Sequence, residues 1–329
     1  MAAQLKNHPR SSPPTPSVAL VILVSAICMT SIPNILSTID DVATIERCTM
    51  PLFPKIMSRS TLGWIRLGFA SFIGLTSIGR MLESHEVRMN YMKHSKLRSM
   101  PIQMEGFRAQ AYFTSWHWNL LGLSFTTSGL LTLFIDAYTK NQPLTSTSTH
   151  TDILSTSPHI KYLLRSTVLL FETAAPLSLL VSFVVRYALW PKALKGSMET
   201  EGFKKTTALI QHNANIIMSL TEIGLLGGLP MRFTDMALAP MVGIVYIVFA
   251  WSVRFQLTSC GSPQFLYFFL DTTLGTTSTV ALLILLVVLV GFYAMFVSFA
   301  HVIVWFGGGV KTHATLVGLI ASLACRFRD

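Results

Sequence analysis

The chain has 329 residues, 51% apolar and only 12% charged, with a mean hydropathy of +0.54. A soluble domain carries about 25% charged residues, so this composition excludes an ordinary water-soluble enzyme or binding module and indicates an integral membrane protein. The net charge of +10 would point to nucleic acid in a soluble chain, but the basic residues fall in connections between apolar stretches, so anionic lipid headgroups are the expected partner and nucleic acid is not.

Met1 to Pro16 is polar and proline-rich, with Lys6 and Arg10 ahead of the first apolar run at about 17–37. That run reads as a signal-anchor or a cleavable signal peptide, and no A-x-A site decides between them. Further runs long enough to cross a hydrocarbon core of about 30 Å lie near 61–81, 112–138, 161–190, 206–230, 235–256 and 277–306. The expected fold is therefore all-α, a polytopic membrane helical bundle of seven spans, or six if the first is removed. Residues 1–60 form an N-terminal region, 61–306 the bundle and 307–329 a tail. Within that tail His313 to Cys325 is too short for a confident span and reads as an interfacial or re-entrant helix. Segment 143–160 is rich in Ser and Thr and reads as a disordered loop. Lys and Arg number 11 in the connections on the side of the N-terminus and 8 on the other, a bias that favours a cytosolic N-terminus.

The run from 206 to 230 departs from an apolar span. His212, Asn215, Ser219 and Glu222 fall within an arc of about 80° at helical spacing, one polar stripe. Ionisable groups at that depth persist mainly where they face the bundle interior or a water-filled cavity. The third and fifth spans begin on the same membrane face, with Thr114 about two residues and His212 about six residues into their helices. A hydroxyl and an imidazole at similar depth supply a nucleophile and its general base. Against this stands the common case of a membrane-helix Thr bonded to its own backbone carbonyl.

Four other residues compete for roles. His117, one turn from Thr114, is an alternative base or, between Trp116 and Trp118, part of an interfacial aromatic belt. Asn215, one turn from His212, suits a hydrogen bond to a substrate carbonyl or its developing oxyanion. Glu222 lies about 15 Å along the axis from His212, too far for a direct bond. Glu172 is an intramembrane carboxylate, either functional or held by Arg165. No HExxH, no G-x-S-x-G elbow and no closely spaced His boxes occur, so neither a metal nor a cofactor is expected. The four cysteines lack CxxC spacing and read as small packing residues.

Tyr112-Phe113-Thr114-x-Trp116 at the start of one span, with His212 ten residues before Glu222 in a later one, resembles the androgen-induced-gene family of membrane threonine hydrolases. The likeness covers about 110–305 and takes in Pro176 and the stretch Tyr187 to Pro191. It departs where family members often place a second His, here Leu209, and a small residue, here Asn213. The resemblance implies hydrolysis of a lipid ester, with fatty acid esters of hydroxy fatty acids as substrates, Thr114 as nucleophile and His212 as base, in an endomembrane or the plasma membrane. A second reading, from the residues alone, is a small transporter or sensor in which Glu172, His212 and Glu222 bind or relay a proton or cation. A third is a structural membrane protein whose polar residues hold helices together.

Overall fold

A computed structural model of the chain describes residues 12–40, 42–141, 158–195, 205–258 and 263–326. Long apolar runs with few charges close all their backbone hydrogen bonds within a helix, the solution a bilayer enforces, and these runs form the helices of an all-α bundle. In chain order they are α1 (Thr15–Ile39), α2 (Val42–Thr49), α3 (Arg59–Leu82), α4 (Phe113–Asn141) and α5 (Pro158–Phe183). There follow α6 (Trp190–Leu194), α7 (Thr206–Gly224), α8 (Met241–Val253), α9 (Thr276–Phe306) and α10 (Val310–Ala324). Among the described residues six helices are long and apolar enough to cross a membrane: α1, α3, α4, α5 with its extension to Leu189, α8 with the preceding turn from Phe233, and α9. The protein is thus a multi-pass membrane protein.

The remaining expected span is α7. Its 19 residues reach about 28 Å, but the polar stripe lowers its hydropathy below that of the six. It is sheltered rather than lipid-facing, packed by α3, α4, α5, α9 and α10. It ends at Gly224, six residues before Pro230, and Gly228, at φ 63°, turns the chain so that its N–H reaches Glu222 O at 2.9 Å.

Small residues set how closely the helices approach. On α3 and α4, a Cβ at Gly63 would lie 2.7 Å from Leu133, and one at Gly129 would lie 2.9 Å from Leu67. Glycine at both positions lets the two backbones meet, as membrane helices do where no hydrophobic force separates protein from lipid. The main core gathers Phe171, Leu164, Ile216, Leu220, Tyr293 and Phe296 around α5, α7 and α9.

One face of the bundle carries a cap. Strands β1 (His85–Arg88) and β2 (Pro101–Met104) pair antiparallel, a hairpin within a stretch expected only as a connection. Ile102 and Met104 are fully buried against Leu257 and Leu266. Tyr91 donates to Gln264 Oε1 at 3.0 Å, Gln264 Nε2 donates to Arg98 O at 2.9 Å, and Ser95 donates to Asp271 Oδ2 at 2.5 Å. Burial pushes the Tyr91 phenol up to about 12, so it stays a donor.

Residues 310–324 form the short helix expected there, packed along α7: His313 Nδ1 lies 2.8 Å from Gly224 O, and Asn213 Nδ2 donates to Arg326 O at 3.0 Å, so the two helices run antiparallel. Two expectations are revised. The Ser/Thr-rich loop at 143–160 falls outside the described residues up to 157, and its last three residues open α5. Arg165 does not hold Glu172; it donates to Asp40 through Nε at 2.9 Å and Nη2 at 2.5 Å, with Lys161 Nζ 2.9 Å from the same carboxylate. The reason is separation along the axis: Arg165 and Glu172 share a face of α5 but lie two turns, about 10 Å, apart, and so meet different neighbours.

Those hydrogen bonds, first from Arg165 and then from Lys161, hold the Asp40 carboxyl below its ordinary value of 3.8. A carboxylate lowered on folding adds stability above its unfolded pKa, and that stability is lost as pH falls through the folded value. Thermal unfolding of purified protein should therefore show an acid-side loss below about pH 4 that is reduced in Asp40→Asn. An unchanged acid limb in that variant would show that the pair does not couple to folding.

Candidate functional site

The polar residues of α7 divide into two edges. Gln211, Asn215, Ser219 and Glu222 are buried, while His212 is half-buried on the shoulder of the stripe. The buried edge faces α4 and α5, which present His117, Ser178 and Ser182, all no more than 2% exposed. A polar seam thus runs between three helices at membrane depth. Ser178, Ser182 and Gln211 were not singled out in the sequence. The available signal was the one-turn spacing of the two serines on α5 and of Gln211 from Asn215.

His117 Nε2 lies 3.2 Å from Ala174 O and 3.0 Å from Ser178 Oγ, and Ser178 Oγ lies 2.9 Å from Ser219 Oγ. A carbonyl oxygen only accepts, so Nε2 carries the proton and Nδ1 holds the bare lone pair. Nδ1 is buried and has no hydrogen-bond partner among the described residues. His117 therefore lies inside the bundle and is not part of an interfacial aromatic belt. Trp118 is also fully buried, donating to Thr76 Oγ1 at 2.9 Å. Trp116 instead joins an aromatic cluster with Tyr246 and Phe249.

Asn215 is held by its oxygen. Oδ1 accepts from Ile216 N at 2.7 Å and lies 3.1 Å from Ser182 Oγ, whose single proton has nearer acceptors in His212 O at 2.7 Å and Ser178 O at 2.9 Å. That fixes the amide orientation and leaves Nδ2, a two-proton donor, buried without a partner among the described residues. Both polar atoms of the Gln211 amide are in the same condition. Buried polar atoms are normally paired, and this group of orphans leaves hydrogen-bonding capacity unused in one seam.

His212 stands beside this seam, its backbone carbonyl 2.7 Å from Ser182 Oγ. Thr114 sits in the first turn of α4, half-buried, beside Phe113, whose N–H donates to Tyr267 Oη at 3.2 Å. Among the described residues no hydrogen bond joins Thr114 to His212. The cap-side rim is closed by Arg80 over the Tyr112 ring at 5.2 Å and by Arg326 over Trp190 at 3.9 Å.

The two carboxylates lie elsewhere. Glu222 is engaged by Arg66 through Nε–Oε2 at 3.1 Å and Nη2–Oε1 at 2.5 Å, both side chains fully buried. Glu172 accepts from Arg232 N at 3.1 Å and Arg232 Nε at 3.3 Å. Neither contacts the seam of His117 and Asn215, so neither orients His212. No group of three or more metal-ligating side chains occurs among the described residues.

No known protein family, curated protein or solved structure matches the chain.

Proposed function

We propose that the protein is a membrane-embedded hydrolase of lipid acyl esters, fatty acid esters of hydroxy fatty acids being the substrate class the family resemblance implies. It would work in an endomembrane or the plasma membrane at the seam of α4, α5 and α7. The observation that carries this reading is the Asn215 amide, anchored through Oδ1 with its donor nitrogen buried and unpaired. A preorganised donor in a water-poor site is what a developing oxyanion requires.

In this mechanism Thr114 Oγ attacks the ester carbonyl carbon and His212 takes its proton. Asn215 Nδ2 donates to the oxyanion, the carbon–oxygen bond to the alcohol breaks, and the alcohol leaves with the proton from His212. Water then attacks the acyl-threonine ester, releasing the fatty acid and restoring the hydroxyl. His117 Nδ1 and the Gln211 amide supply further polar contacts to the ester or the water. Entry of substrate from the bilayer brings the acyl chain in without a desolvation cost.

The test is covalent labelling of membranes with a fluorophosphonate probe, using wild type, Thr114→Ala, His212→Ala and Ser178→Ala at matched folded amount. Labelling of wild type that disappears in the first two and persists in the third is expected. Loss in Ser178→Ala with retention in Thr114→Ala would move the nucleophile to the serine 3.0 Å from His117. Absence of labelling in folded wild type would remove the hydrolase reading.

A further inference from the structure

We propose that Glu172 and Asp235 hold one proton between them, making the junction of α5 with the 225–240 crossover a proton-binding site at membrane depth. Of the other buried acids, Glu222 is matched one to one by Arg66, and Asp271, in the cap, accepts from the Ser95 and Thr273 hydroxyls and from Thr273 N. At Glu172 a single guanidinium, Arg232, faces two carboxyl groups: its Nε and backbone N–H both address Glu172 Oε1, and its Nη2 contacts Asp235 Oδ2. Glu172 is 0% and Asp235 2% exposed at the side chain. A second uncompensated carboxylate so placed is costly, and the inexpensive remedy is a proton.

The geometry supplies the position for it. Glu172 Oε2 is buried with no donor among the described residues, the Thr234 hydroxyl donates to Asp235 Oδ1 at 2.9 Å, and the one Arg232 guanidinium, meeting Glu172 through Nε and Asp235 through Nη2, brings the two carboxyl groups to the same place. Two carboxylates have no donor of their own, so they bond only around a proton. Among the described residues the surroundings supply no further cation. Tyr293 of α9 donates to Arg232 O at 3.0 Å, and α1 offers the Thr38 hydroxyl, 3.1 Å from Arg232 Nη1. Asp40 of α1 is taken by Arg165 and Lys161, Cys48 of α2 lies within reach of both ion pairs, and Arg66 is neutralised by Glu222. Arg232 is 21% exposed, which gives the proton a route to the face opposite the cap. The site is independent of the hydrolase seam and stands or falls without it.

The experiment is infrared spectroscopy of the whole protein in membranes, reading the C=O stretch of a protonated carboxyl group at neutral pH. A band that shifts on deuterium exchange is expected in wild type. It should vanish in Glu172→Gln and in Asp235→Asn, since each leaves one carboxylate ionised against Arg232, and it should persist in Glu222→Gln. Absence of the band in folded wild type, or its survival in both single variants, overturns the proposal. If the variants do not fold, wild type alone decides: the band must be lost as pH is raised, and a band unaffected at any pH that preserves the fold also overturns it.

Discussion

Arg66→Ala is expected to cost about 3–5 kcal/mol, the usual penalty for stripping one partner from a buried ion pair. Arg66 spends its donors on four oxygens: both Glu222 carboxylate oxygens, Cys48 O at 2.6 Å and Thr132 Oγ1 at 2.7 Å. It therefore ties α2, α3, α4 and α7 together at one point. Removing it leaves Glu222 as an unpaired charge and a carbonyl without its donor. Thermal unfolding in detergent, with the fraction of monodisperse protein as a second readout, would measure this. The double variant Arg66→Met with Glu222→Leu should recover most of the loss, because an apolar pair of similar volume escapes the desolvation cost. Gly227→Ala should fail like the single variant, since a Cβ there would collide with Arg66 Nη2. Near-wild-type stability in Arg66→Ala would mean that the cluster is hydrated and the pair is weak.

Asn215→Ala is expected to lower ester turnover by about 10²–10³-fold, the typical loss on removing one oxyanion donor. Substrate affinity should change little, because the contact strengthens only in the transition state. Asn215→Asp should be no better, since a carboxylate accepts and cannot donate. The measurement is a comparison of kcat and KM for a hydroxy-fatty-acid ester in membranes with matched folded protein. A fall in affinity with kcat preserved would make Asn215 a binding residue and not an oxyanion donor. The same variant should also loosen Ser182, which lies 3.1 Å from Asn215 Oδ1, so a spectroscopic check of fold belongs with the assay.

Spans were legible in the sequence because the bilayer demands length and apolarity, both local properties. The run expected at 277–306 is the helix Thr276–Phe306, and the one at 61–81 is Arg59–Leu82. The stripe on α7 was legible for the same reason: helical spacing alone puts Asn215, Ser219 and Glu222 on one side. Pairing was not. Glu222 meets Arg66, 156 positions away, and Arg165 meets Asp40, 125 positions away. Which partner a charge finds depends on how each helix is rotated, and that is set by packing that no single segment encodes. The histidine tautomer and the orphaned amide of Asn215 are further from view still, because they follow from contacts among three helices. Thr114 and His212 rest on motif likeness, and among the described residues the fold adds no hydrogen bond between them.

Beyond Phe183, α5 passes into a π-helical stretch from Val184 to Leu189 before α6 begins. Widened turns of this kind insert one residue into an α-helix and occur often at functional sites. Ser178 and Ser182, before the insertion, look onto α7. Arg186 and Tyr187, within it, grasp the end of α10 through Ser322 O, Cys325 O and Leu323 O. The extra residue acts as a phase shifter, letting one rod address two neighbours that an unbroken α-helix would not serve together. Deleting a single residue there would rotate everything after it by about 100°. It would leave the seam intact and swing Arg186 away from α10, so evolution can tune the rim of this site without touching its floor.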